Sequence, residues 1–345
     1  MRNLFLVPIF LSFACAPTAD KPVEPAPKPV TEAEPKEQAE PTEAAAEPTA
    51  NVKITFVDVD EGAAILIQAD DFDALVDTGS NGKWDGRLAR ALEDVTGPLE
   101  ILFLTHPHAD HYEQTDEVFG LLDVQRVITN GEGRGPPRDK KPLKFYGKYQ
   151  AALAAEGVDE EPAAVGESFS PVTGLEIEVL ATGGRFKDSS QGSDINNDSL
   201  VLMLSYAGRK VMLTGDIEDK AGDWLVEQYC GDEKCPKLKS DVMKVPHHGS
   251  AHFSQTFFDR VQPRYAIISA GFHVERHCLP RVESYQALKP LGAKIFSTSA
   301  EGIGNVSVVI SPDGNMDWSF PDEPVFVWEG MKGRKCVGPT VFEQG

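Results

Sequence analysis

Four side chains that bind transition metals crowd into six residues, His106-Pro107-His108-Ala109-Asp110-His111. An extended segment turns i and i+2 the same way, so His106 and His108 are placed to share one ion. Asp110 and His111 are then left to serve a second. Imidazole nitrogen with carboxylate oxygen is a donor set suited to zinc and acceptable to manganese or iron. Asp216, in Thr214-Gly215-Asp216, adds a carboxylate that can bridge two cations with one oxygen on each. Lys244-Val245-Pro246-His247-His248-Gly249-Ser250 adds two imidazoles, one of them a candidate outer donor rather than a ligand. Asp77 either caps its own turn or orients a metal-binding imidazole. Two cations in one site lower the pKa of water to about 7 and stabilise a developing oxyanion, which is hydrolytic chemistry.

Each of these groups follows an apolar run that reads as a strand. Val52–Val59 alternates and is rich in β-branched residues, and 63–69 and 73–79 continue the pattern. Residues 100–105, Glu-Ile-Leu-Phe-Leu-Thr, are nearly all apolar, as in a strand buried on both faces. Further strands are predicted near 126–129, 175–181, 199–207, 210–216, 241–247, 265–270, 294–298 and 306–311. Helices are predicted over 88–95, 113–122, 149–157, 218–229, 254–261 and 282–290. Strands interleaved with helices and no internal linker predict one α/β domain over 51–345, with the candidate ligands at strand ends, where open sheets place their sites.

Composition narrows the function. The 345 residues carry 33 Lys+Arg against 54 Asp+Glu, a formal charge of −21, which argues against stable binding of duplex DNA. A basic stretch with Arg134, Arg138, Lys140, Lys141, Lys144 and Lys148 is either a local funnel for anions or a solvated loop. Residues 1–15 have the layout of a secretory signal peptide, and Ser-Phe-Ala-Cys at its end resembles a lipobox with Cys15 as the lipidated first mature residue. Residues 16–50, rich in Pro, Glu and Ala, read as a disordered tether. The expected location is therefore outside the cytoplasm: a lipoprotein of the outer membrane, periplasm or cell surface that touches the membrane only through its anchor, with soluble secretion as the alternative. Cys230 and Cys235 are candidates for a disulfide, against free thiols or a zinc pair, and Cys278 with Cys336 for another.

The order VDV, VDTG, LTHPHADH, NNDSLVL, LTGD, VPHHGS resembles the metallo-β-lactamase superfamily, and more narrowly the hydrolase domain at the end of the DNA-uptake protein ComEC. The resemblance implies a four-layer αββα sandwich with a dinuclear site at one edge. Carried over by position, His106 and His108 hold the first ion, Asp110, His111 and His247 the second, and Asp216 bridges. The expected cofactor is a pair of divalent ions, zinc first, with manganese or iron suited as well. No His lies between His111 and Asp216. The Asn-rich patch of this branch stands there instead, so Asn197 is expected near the first ion, with Asp198 as its competitor or as an outer residue beside Asp77. Asp110, Asn197, His248 and His277 form the expected catalytic set. His277 either binds a phosphoryl oxygen, protonates a leaving group or is a structural histidine.

VDVDEG replaces the usual VDVGQG, and the membrane channel that accompanies this domain in ComEC is absent from the sequence. The expectation is a hydrolase of a small or single-stranded phosphodiester. Two alternatives stand beside it: a metal-dependent esterase, lactonase or β-lactamase, and a tethered binding module without catalysis.

Overall fold

The computed structural model describes residues 47–337 apart from 61, 81–85, 135–142, 187–190, 232–233, 271–278, 299–303, 320–326 and 330–334. The predicted signal segment with Cys15, nearly all of the tether, and His277 and Cys278 lie outside the described residues. All elements below belong to the unit Ala45–Gly345.

The first half builds one sheet. Strands β1 (Val52–Phe56), β2 (Ile65–Ala69) and β3 (Phe72–Val76) form an antiparallel meander, and β4 (Ile101–Leu104), β5 (Val127–Thr129) and β6 (Glu160–Pro162) add in parallel. Helices α1 (Arg87–Leu92), α2 (Ala109–Tyr112), α3 (Thr115–Leu121) and α4 (Lys144–Glu156) cover its outer face. The second half builds the other sheet from β7 (Ser168–Phe169), β8 (Glu176–Ala181), β9 (Val201–Tyr206), β10 (Arg209–Leu213), β11 (Val242–Lys244), β12 (Tyr265–Ile268) and β13 (Lys294–Ser297). Among its helices are α5 (Gln191–Asn197), α6 (Asp219–Tyr229), α7 (Gln255–Val261) and α8 (Val282–Leu288). Strands β14 (Val306–Ile310) and β15 (Met316–Ser319) return to the first sheet, where β14 pairs with β1. The order is β15-β14-β1-β2-β3-β4-β5-β6 in one sheet and β13-β12-β11-β10-β9-β8-β7 in the other.

Alternation explains the layering. In β4, Ile101 and Phe103 enter the core between the sheets, where they join Ile54, Ile67, Leu202 and Leu213, while Leu102 and Leu104 face the helices. In β9, Leu202 and Leu204 face the same central core, and Val201 and Met203 meet Leu225 of α6 and Phe257 of α7. Both sheets therefore bury both faces, as the apolar run of 100–105 predicts, and the fold is an αββα sandwich.

The structure adds what the sequence pattern did not. Helix α4 begins at Lys144, inside the stretch read as loop, and α5 covers the Asn-rich patch. Strands β6, β7 and β15 are short or edge elements whose residues are mostly exposed or half-buried, so they carry little hydrophobic signal. No helix among the described residues is long and apolar enough to cross a membrane.

Candidate metal centre

The strands β3, β4, β10 and β11 end at the same edge, and the segments that follow them meet there. The segment after β4 does not stay extended. His108 is the last extended residue, and Ala109 starts α2, so Asp110 and His111 sit on a helical turn. That turn is anchored by Tyr112, fully buried with its ring 5.0 Å from that of Tyr149 in α4. From the other side the loop after β1 closes on it: Ala63 N–H donates to Asp110 O, and a side chain at Gly62 would come within 2.0 Å of that oxygen. Gly62 also has φ +111°, so glycine is required there twice over.

Asp77 is the hub of the buried side. It is fully buried, with φ 61°. Its Oδ1 accepts the Thr105 N–H at 2.7 Å. Its Oδ2 accepts the Thr105 hydroxyl and lies 2.7 Å from His111 Nδ1. His111 thereby turns Nε2 inward. Thr105 Oγ1 in turn lies 3.1 Å from His106 Nδ1, so one carboxylate orients both imidazoles, one directly and one through a hydroxyl. Asp77 thus takes the orienting role rather than that of a turn cap.

His111 Nε2, His248 Nε2 and carboxylate oxygens of Asp110 and Asp216 form one group, with donor atoms all within 4.8 Å of one another. Asp216 Oδ2 is 2.9 Å from His248 Nε2 and 3.2 Å from His111 Nε2. Asp110 Oδ2 is 3.3 Å from His248 Nε2, and the two Nε2 atoms are 3.3 Å apart. A tetrahedral zinc with ligands at about 2.0–2.1 Å has ligand-to-ligand edges near 3.3 Å, and these four separations are close to that, so the donor set suits one such ion. His248 Nδ1–H donates to Ser269 O at 2.8 Å, which fixes its tautomer with Nε2 on the group. Beside this group, His106 Nε2 and His108 Nδ1 converge to 3.1 Å, the start of a second position.

His248, not His247, stands in the group. Both residues are left-handed, with φ 52° and 47°, which a non-glycine residue adopts at a cost of about 1–3 kcal/mol when its surroundings dictate it. This turn swings the His248 ring inward and leaves His247 half-buried at the rim, Nδ1 3.3 Å from Glu218 Oε1 and 3.2 Å from Ser250 Oγ. Glu218 is itself held by Ser193 and by Asn196 Nδ2 at 2.8 Å. Asn197 also departs from expectation. Its Oδ1 accepts the N–H groups of Glu218 and Ala221, at 3.1 and 2.9 Å, and so caps the start of α6. Asp198 Oδ1 accepts the backbone N–H groups of Arg185 and Phe186 and braces that loop instead of an imidazole.

Without a cation, the group sets protonated imidazoles against its ionised carboxylates. Burial opposes charge on His248, but the Asp216 and Asp110 carboxylates outweigh it and raise its pKa to about 9. Burial is likewise outweighed at His111, held well above the usual range by Asp216 and Asp77. Asp110 and Asp216 are held below the carboxylate range despite burial, Asp110 first by His248 and Asp216 by His248 and His111. His106 and His108 go the other way: burial dominates, and His108 falls to about 4. Neutral imidazoles with ionised carboxylates are the protonation states that bind cations.

Three residues that sequence reasoning missed serve the same edge. Ser199 Oγ accepts the Asp216 N–H at 3.0 Å and lies 3.3 Å from His106 Nδ1, and only glycine fits at Gly215 beside it. Lys244 ends β11 fully buried. Glu218 faces His247. Of these, only Lys244 left a visible signal, a charge inside the apolar run 242–245. Cys230 and Cys235 are joined as a disulfide after α6.

The metallo-beta-lactamase superfamily matches residues 57–273. ComE operon protein 3 of Bacillus subtilis is 29% identical over 205 residues, 59% of this chain and 24% of that protein. Competence protein ComA of Neisseria gonorrhoeae is 25% identical over 258 residues, 74% of this chain and 32% of that protein. The chain thus spans about a quarter to a third of the length of these relatives. A crystal structure of a putative metal-dependent hydrolase from Parabacteroides distasonis is similar at 14% identity and TM-score 0.45, covering 73% of this chain and 94% of that one.

Proposed function

The chain belongs to the metallo-β-lactamase superfamily, and from that premise we propose an exported, lipid-anchored hydrolase that cleaves phosphodiesters with two divalent cations, zinc the first candidate. The convergence of Asp110, His111, Asp216 and His248 carries this reading. Those four residues would hold one cation, and His106 with His108 would begin the site of the other. When bound, the cations supply acidified water and Lewis-acid stabilisation of charge on the substrate.

The protein's own residues do the rest. Asp77 and Thr105 fix His111 and His106, and Ser269 O fixes His248. His247, at the rim and oriented by Glu218, is placed to meet a substrate oxygen, whereas the sequence put it among the ligands and His248 in the catalytic set. Arg134 donates to Pro107 O at 3.1 Å, between the two histidines of the motif, and puts positive charge beside the site. That charge and the similarity to two competence proteins favour an anionic phosphodiester, small or single-stranded, over a neutral ester or lactam. The disulfide supports an oxidising compartment.

The test is a substrate panel on zinc- and manganese-loaded protein: a nitrophenyl phosphodiester, a single-stranded oligonucleotide, a nitrophenyl ester and a chromogenic cephalosporin. Turnover of the phosphodiesters, lost in Asp216→Ala, supports the reading. Turnover confined to the ester or cephalosporin replaces it with the esterase or lactamase alternative. Cation binding without any turnover replaces it with a binding module.

A further inference from the structure

Asp216 does not present its two oxygens to the same surroundings. Oδ2 faces the imidazoles of His111 and His248 at 3.2 and 2.9 Å. Oδ1 faces away from them, 3.3 Å from the ammonium of Lys244. Lys244 is 1% exposed, and the same ammonium donates to Gly215 O at 2.7 Å. A buried ammonium is costly unless paired, and here its pair is the very carboxylate expected to bridge. Gly215 O and Asp216 Oδ1 come from consecutive residues, so Lys244 clamps both the turn and the rotamer of the side chain that leaves it.

A carboxylate that bridges two cations gives one oxygen to each. With Oδ1 held on an ammonium, that oxygen is the poorer donor to a cation and Oδ2 the better one. The other half of the site gains nothing in exchange: neither His106 nor His108 has a carboxylate within ion-pair distance among the described residues. The positive charge of Lys244 also opposes a second cation on that side of Asp216.

We infer that Lys244 is a positioning residue that dedicates Asp216 to the cation held with Asp110, His111 and His248, making the two cation positions unequal. The inference rests on the two-cation reading above. It predicts that the His106–His108 position is the weaker, and that the inequality comes from Lys244 rather than from the ligand types alone.

The experiment is a zinc titration of metal-free full-length protein, by calorimetry with a competing chelator. Wild type is expected to bind one ion tightly and a second at least about tenfold more weakly, the scale of effects that residues behind the ligands exert. In Lys244→Met the freed Oδ1 becomes available to the second ion, and the two affinities converge. Lys244→Arg keeps the charge and restores the gap, which a merely structural role would not. Two equal sites in wild type, or an unchanged gap in Lys244→Met, overturns the inference while leaving the hydrolase reading intact; failure of wild type to bind any cation overturns both. Should Lys244→Met not fold, a crystal structure of zinc-loaded wild type decides: Oδ1 still on Lys244 supports the inference, and Oδ1 at about 2.0–2.2 Å from an ion overturns it.

Discussion

His111 Nδ1 and Asp77 Oδ2 lie 2.7 Å apart although 34 residues separate them, and neither is exposed to solvent. The contact joins the end of β3 to the first turn of α2, and it decides which nitrogen of His111 faces the metal group. Because Asp77 also holds Thr105, and Thr105 meets His106, both halves of the site lean on one buried carboxylate. Asp77→Asn keeps the shape and removes the charge. Its cation affinity is expected to fall about 10–100-fold. A chelator competition assay reads this directly, and an unchanged affinity contradicts the orienting role.

The adjacent histidines should separate cleanly. His248→Ala removes a donor from the group and is expected to abolish tight binding of one cation together with hydrolysis. His247→Ala leaves the group intact, so cation stoichiometry stays at the wild-type value while turnover falls. Metal analysis of dialysed proteins distinguishes them, and loss of a cation in His247→Ala would restore the ligand role expected from the sequence.

Cation affinity should depend on pH with a definite sign. The metal-free pKa of His248 is raised to about 9, so at pH 7 its imidazole carries a proton that a cation must displace. Apparent affinity is therefore expected to strengthen as pH rises from 6 toward about 9. Calorimetry at pH 7 in two buffers of different ionisation enthalpy measures the protons released. A release of zero would count against this coupling.

Arg134 offers a test of substrate charge. Arg134→Ala is expected to raise KM for a phosphodiester about tenfold, the loss of one charge-assisted hydrogen bond, with little change in kcat. A neutral ester should be unaffected. Equal losses on both substrates point instead to the Pro107 contact, and hence to collapse of the motif loop.

Away from the ligands, the loop after β1 is tied by a buried ion pair between Arg87 and Asp58. Asp58 also accepts the N–H groups of Gly304 and Asp60, so three segments meet on one carboxylate. Arg87→Met strands that charge and is expected to cost about 3–5 kcal/mol. Urea denaturation measures it, and a midpoint equal to wild type contradicts the role. Asp60 has φ 63° at the position where the resembled pattern carries glycine, and the hydrogen bond from its N–H to Asp58 Oδ1 supports that left-handed turn.

Much of this was legible in the residues themselves. The run Ile101–Leu104 reads as a doubly buried strand because period-two alternation in an all-apolar segment fills two cores at once. The type and spacing of His106, His108, Asp110 and His111 announce cation chemistry because donor atoms are a local property of the side chains. Which donors meet is not local. Choosing His248 over His247 depends on two left-handed dihedrals that no composition prescribes. The resemblance placed Asn197 near an ion, yet its amide oxygen is spent on the first turn of α6, twenty-one residues on. Lys244 sits one strand over from Asp216, and only the parallel pairing of β10 with β11 brings its ammonium under that carboxylate. The chain's own order determined the donors and the strands that carry them; the packing of two sheets decided their partners, because contacts between distant segments are set by register and turn geometry rather than by proximity in sequence.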